Sequence, residues 1–214
     1  MPRKLLPVVL ALALTACSSQ EALPQGPDLV TKSAEAMKAV TSASFAVTTD
    51  GTPKLQLKKA DGRLTAKGDA DGTLQISVFG SLQEFSFAMI GDTVHFKGAT
   101  GGFQTLPKQA LMAGVGYDPS TLLHPDKGIS TLLGGLVKPV TEAAEDGSYR
   151  VAATFPGKTM GSLIPGVTSD INGKLWVDQA SSRLNRINLP LEGGSVTVTL
   201  TDYDVPVTVT PPAG

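Results

Sequence analysis

Cys17 is the single cysteine of a 214-residue chain that holds only two histidines, His95 and His124. Thiolate and imidazole are the side chains with which nucleophilic or metal chemistry most often begins, and their spacing here supports neither. Neither histidine has a second one three to five residues away, the separation that brings two imidazoles to one metal. His95, between Val94 and Phe96, reads as an outward-facing strand residue, and His124, before Pro125, as part of a turn. A G-x-S-x-G nucleophile elbow does not occur, because Gly161-Ser162 and Gly194-Ser195 lack its frame. Glycines fall at expected hairpin ends rather than between a strand and a helix, which leaves no phosphate loop and no dinucleotide fingerprint. Asp50, Asp61, Asp71, Asp92 and Asp146 each adjoin a glycine, where a turn accounts for them. Asp118 and Asp126 flank a helical stretch and read as caps rather than as general acids or bases. Lys54, Lys58 and Lys59 read as a solvated strand edge. The sequence thus points away from an enzyme, and it calls for no metal and no cofactor.

The position of Cys17 gives it another use. Arg3 and Lys4 precede an apolar run from Leu5 to Leu14, interrupted by Pro7. Ten such residues make a helix of about 15 Å, half the ~30 Å hydrocarbon core, so residues 1–16 read as a signal peptide rather than a transmembrane span. Leu14-Thr15-Ala16-Cys17 resembles the bacterial lipobox, in which the cysteine sulfur receives a diacylglycerol before cleavage on its amino side. That resemblance implies a protein held at the cytoplasmic membrane by acyl chains on Cys17 and facing the extracytoplasmic space. Each buried methylene contributes about 0.8 kcal/mol to such an anchor. Residues 17–27, with the sequence SSQEALPQGP after the cysteine, then read as an acylated terminus and a flexible linker.

One domain, 28–214, follows. Asp28 is expected to cap a helix over Leu29 to Val40, where Leu29, Ala36, Met37 and Val40 recur at helical spacing. From Ser42 to Leu106 the apolar period becomes two, with Asp-Gly or Gly pairs at 50–51, 61–62, 71–72, 80–81 and 91–92 as hairpin turns. His124-Pro125-Asp126 is expected to cap a second helix of about ten residues, with Ile129, Leu132, Leu133, Leu136 and Val137 on one face and Gly134-Gly135 in its interior. Strand pattern resumes at Val151 and runs to Leu200, giving about ten strands in all. A net charge of −1 and a pI near 6.1 exclude a constitutively basic nucleic-acid binder. Pattern alone leaves two readings open. The sheet either closes over an ordinary packed core, as in a tethered adaptor or chaperone that presents a surface to another envelope protein, or leaves an apolar cavity for a lipid.

Tyr117-Asp118-Pro119, Leu122-Leu123-His124-Pro125-Asp126-Lys127-Gly128-Ile129 and Lys174-Leu175-Trp176-Val177-Asp178, with the lipobox and the alternating strands, resemble the actinobacterial LppX/LprA/LprF/LprG lipoproteins over nearly the whole chain after Cys17. The resemblance implies an α+β fold, a strongly curved antiparallel sheet or half-barrel with helices on its concave face around an apolar cavity. It further implies binding of acylated lipids or glycolipids and their movement from the cytoplasmic membrane to the outer envelope, with a membrane transporter as a candidate partner. Within that frame alternation assigns Leu74, Ile76, Val78, Phe85, Phe87, Met89 and Phe96 to the sheet side of the cavity. Leu132, Leu133 and Leu136 are assigned to the helix side, with the glycine-bearing helix as a candidate gate. Successive strand residues face opposite ways, so these assignments depend on register.

Overall fold

The computed structural model describes residues 22–212, apart from 79, 99, 111–120 and 162–166. Cys17, the leader, Tyr117-Asp118-Pro119 and Ser162 lie outside the described residues. Eleven strands form one open sheet, and every pairing is antiparallel. The amino-terminal strands are β1 (Ser42–Gly51), β2 (Leu57–Thr65), β3 (Ala70–Val78), β4 (Ser81–Ile90), β5 (Thr93–Lys97) and β6 (Gln104–Pro107). The carboxy-terminal strands are β7 (Val137–Glu145), β8 (Ser148–Phe155), β9 (Ile171–Asp178), β10 (Leu184–Leu191) and β11 (Gly194–Thr201). Strand order is β6-β5-β4-β3-β2-β1-β11-β10-β9-β8-β7, so each half of the chain is a meander and the two wings are stitched together where β1 pairs with β11. Among the described residues the sheet does not close, and β6 and β7 are its edges.

Among the described residues, helix α1 (Gly26–Lys38) packs against α2 (Ile129–Gly134) and against β7, while a short α3 (Gly157–Met160) follows β8. Helix α1 starts two residues before Asp28. Its N-cap is Gln25, Pro27 occupies the first turn where a missing N–H costs nothing, and Asp28 favours the amino end by charge rather than as a cap. Leu29, Val30, Ala34 and Met37 are buried.

Three expectations are corrected here. The Asp61-Gly62 and Asp71-Gly72 pairs are not turns: they lie inside β2 and β3, directly opposite one another, and the turn between those strands is built on Gly68 at φ 97°. Helix α2 is shorter than its apolar spacing suggests. Gly134 and Gly135 end it instead of occupying its interior, and Val137 already begins β7. Nothing lies within 4 Å of a Cβ built on Gly134, so no close approach explains that glycine, and its low helix propensity at the terminus does. Asp126 is not the cap of α2, whose N-cap is Gly128. The Asp126 N–H instead donates to His124 Nδ1 at 3.1 Å. Strand β7 itself was not expected, because alternation is interrupted by two register shifts, one between Val137 and Val140 and one between Thr141 and Ala143.

Candidate functional site

Register joins the inner side chains into rows that cross both wings. One row runs Thr141, Val151, Leu175, Ile187, Val198, Val47, Ala60, Leu74, Phe85 over nine successive strands. Its burial is uneven. Val151, Leu175 and Ile187 of the carboxy-terminal wing are sealed at 0–4% exposure, whereas Leu74 and Phe85 of the amino-terminal wing are half-buried. Phe155, Val177 and Leu189 are closed as well, while Ile76, Val78, Phe87 and Phe96 remain half-buried; Val198 and Leu191 of the carboxy-terminal wing are half-buried too.

A second row brings two glycines together in the amino-terminal wing. Leu200, Phe45, Gly62, Gly72, Phe87 and Phe96 follow one another from β11 to β5. Between the two phenyl groups of Phe45 and Phe87 there is no side chain at all. Glycines in mid-strand let a sheet turn sharply and let backbones approach, and here both glycines are sterically required. A third row, Ala43, Leu64, Ala70, Met89 and Val94, is fully buried and forms the floor of the core.

The seven strand residues singled out by alternation share one face: Leu74 lies opposite Phe85, Phe87 opposite Phe96, and Ile76 and Val78 continue the Leu74 face. They fall into two groups. Met89, with Leu132 and Leu133 of α2, is in the core at 0–2% exposure, while Leu74, Ile76, Val78, Phe85, Phe87, Phe96 and, just after α2, Leu136 are half-buried. Sequence reasoning missed Phe45 and Val47 of β1 and the Gly62–Gly72 pair. Alternation in β1 could have supplied the first two, whereas only the register could supply the glycines. Ser33 on α1 and Thr141 at the end of the first row carry buried hydroxyls without a hydrogen-bond partner among the described residues.

Polar groups of the carboxy-terminal wing collect on its convex face. Trp176 Nε1 donates to Glu145 (2.8 Å), Arg150 bonds both Glu145 (2.7 Å) and Glu142 (3.0 Å), and Lys174 bonds Glu142 (3.0 Å). Arg186 lies over the Trp176 ring at 4.2 Å. The Trp176 hydrogen bond and, after it, the Arg150 charge hold the Glu145 carboxyl below its usual range; the Lys174 bond does so first for Glu142. His95 stands on the same convex side of β5, 3.2 Å from the Thr105 hydroxyl. No cluster of three metal-ligating side chains occurs among the described residues, and no described helix is long and apolar enough to cross a membrane.

The fold is an open antiparallel half-barrel with helices on an apolar concave face. The chain belongs to the LppX_LprAFG lipoprotein family, whose model matches residues 25–209. It is 30% identical to a lipoarabinomannan carrier protein LprG of Mycobacteroides abscessus, over 98% of this chain and 96% of that one. It is 29% identical to the LprG of Mycolicibacterium smegmatis, over 92% and 86% of the two chains. Among solved structures, LprF from Mycobacterium bovis superposes with a TM-score of 0.77 at 22% identity, covering 88% of this chain and 97% of the other. LppX from Mycobacterium tuberculosis does so with a TM-score of 0.63 at 23% identity, covering 86% and 97%. These two share the fold of this chain.

Proposed function

We propose that this chain is a membrane-tethered envelope lipoprotein that binds acylated lipids or glycolipids against the concave face of its amino-terminal wing and carries or presents them for transport from the cytoplasmic membrane to the outer envelope. The observation that carries the reading is the cluster of half-buried apolar side chains on the inner face of β3, β4 and β5, Leu74, Ile76, Val78, Phe85, Phe87 and Phe96, beside a fully buried row at Leu64, Ala70, Met89 and Val94. Leu74, Ile76, Val78, Phe85, Phe87 and Phe96 offer a curved apolar surface to acyl chains, and Leu136 flanks it. Affinity then comes from burying methylenes, about 0.8 kcal/mol each, while a polar headgroup stays at the mouth in water. The named activity of the LprG relatives supports a carrier role for the family, and acylated Cys17 supplies the tether. No step requires a nucleophile, a metal or a cofactor.

Native mass spectrometry of the full-length protein extracted from membranes tests the reading, together with titration of a fluorescent acylated probe. Bound lipid and saturable probe binding are expected. A lipid-free protein that leaves the probe in solution overturns carriage; a stable protein partner recovered with such a lipid-free chain would favour the adaptor role. Cys17→Ala should move the protein from the membrane to the soluble fraction.

A further inference from the structure

Edge strand β7 carries an exposed apolar feature that the carrier reading does not use. Val137 and Val140 are 46% and 58% exposed. On a regular strand residues three apart face opposite sides, but a register shift between these two sets Val137 opposite Thr154 and Val140 opposite Ala152, both on the convex face. Lys138 takes up the extra residue at φ 51°, a left-handed conformation that a long side chain adopts only where the surroundings enforce it. Next to Val140 lies a shallow depression of about 330 Å³ whose lining includes Ala152, Pro190, Lys138 and Lys174. Lys174 is paired with Glu142; Lys138 has no ion pair among the described residues.

The start of α1 meets the same stretch. A Cβ on Gly26 would stand 2.2 Å from the Pro139 carbonyl oxygen, so the helix begins in contact with the residue between the two valines. Cys17 is nine residues upstream of Gly26, a span of at most about 32 Å when fully extended. The tether therefore leaves the domain beside Val137 and Val140. Lysine, proline and bulges on an edge strand also discourage strand addition by another chain, which accounts for Lys138 and Pro139 but not for two valines turned outward together.

We infer that this patch is a membrane-docking surface: Val137 and Val140 enter the interfacial region of the bilayer that holds the Cys17 anchor, and Lys138 meets its anionic headgroups. The inference rests on the tethered reading above. Docking would lay the carboxy-terminal wing on the membrane and fix the orientation of the half-barrel during loading.

The test uses the full-length acylated protein on vesicles of phosphatidylcholine with phosphatidylglycerol. Cys17 is occupied by its acyl chain, so Val140→Cys, or Val137→Cys as a second position, takes an environment-sensitive fluorophore alone. Leu82→Cys, 59% exposed on the convex face of the other wing, is the control. The label at 140 should shift to the blue and be quenched by brominated phospholipid, more strongly with phosphatidylglycerol than without, while the label at 82 stays water-like. A protein that floats with the vesicles while its label at 140 behaves like that at 82 overturns the docking and leaves the tether intact. A shift that follows protein concentration without vesicles overturns it in favour of a second copy of the chain. A protein that does not float overturns the tether, and the docking with it.

Discussion

Gly62 on β2 and Gly72 on β3 face each other across the ladder, and neither strand leaves room for a Cβ. One built on Gly62 would stand 2.1 Å from the Asp71 carbonyl oxygen, and one on Gly72 would stand 2.1 Å from that of Asp61. Backbone cannot give way as the end of a flexible side chain can, so Gly72→Ala must push two paired strands apart. A loss of about 2–3 kcal/mol is expected, read as a lower urea midpoint with an unchanged slope. A midpoint equal to that of the wild type would show that the ladder tolerates a methyl group there.

The two groups of inner residues should separate stability from binding. Leu64, at 0% exposure, is part of the core floor, and Leu64→Ala should cost about 2–5 kcal/mol while leaving the affinity of the folded protein for an acylated probe unchanged. Ile76→Asn and Val78→Asn alter the half-buried face. They should weaken probe binding severalfold with less than about 1 kcal/mol of destabilisation, measured by parallel denaturation and fluorescence titration. Equal effects in both assays would mean that the face is packing surface only.

How much of this was legible depended on where the chain is half-buried. Strands such as Val151-Ala153-Phe155 and Val196-Val198-Leu200 alternate because one face is core and the other is water, and that contrast is written directly into residue type. Asp61-Gly62 and Asp71-Gly72 look identical to turn dipeptides, and only their pairing across β2 and β3 shows that they lie in mid-strand. Leu136 and Val137 prolong a helical spacing past the glycines that stop α2, so the apolar period outlasted the helix. That the seven strand residues share one face was readable from alternation, yet which residues of that face are sealed and which half-buried was not. Burial there is decided by which strands the helices cover, a tertiary property.

Ser33 illustrates a feature invisible in sequence, since its hydroxyl is buried on α1 at 0% exposure with no hydrogen-bond partner among the described residues. An unpaired buried hydroxyl carries a desolvation penalty of about 1–3 kcal/mol. Ser33→Ala removes the penalty for a small loss of volume, so the protein should be as stable as the wild type or gain up to about 1 kcal/mol. Denaturation of the lipid-free protein checks this, and a loss of stability would reveal a partner for the hydroxyl. Weakened probe binding in the same variant would identify Ser33 as a contact for the ligand's polar linkage.

Asp204 closes the two ends of the domain and should make that closure sensitive to acid. Its carboxylate accepts hydrogen bonds from the Thr41 N–H (2.8 Å) and hydroxyl (3.0 Å) and from Arg183, while the neighbouring Tyr203 hydroxyl donates to the Leu184 carbonyl. The Thr41 backbone bond, more than any other contact, holds the Asp204 carboxyl below its ordinary value. A group depressed in the folded state binds fewer protons there than in the unfolded chain. Its contribution is therefore complete above the unfolded value near 4 and is lost as pH falls through the depressed folded value. Asp204→Asn should lower stability by about 1 kcal/mol at pH 7, the scale of hydrogen bonds to a partly exposed carboxylate. The gap between variant and wild type should then shrink as pH drops below 4. Glu142, Glu145 and Asp178 are depressed as well, so acid unfolding persists in the variant with a shallower dependence on pH. Urea midpoints collected from pH 7 downward decide the matter, because a gap that stays constant into strong acid would assign the effect to the shape of the side chain rather than to its charge.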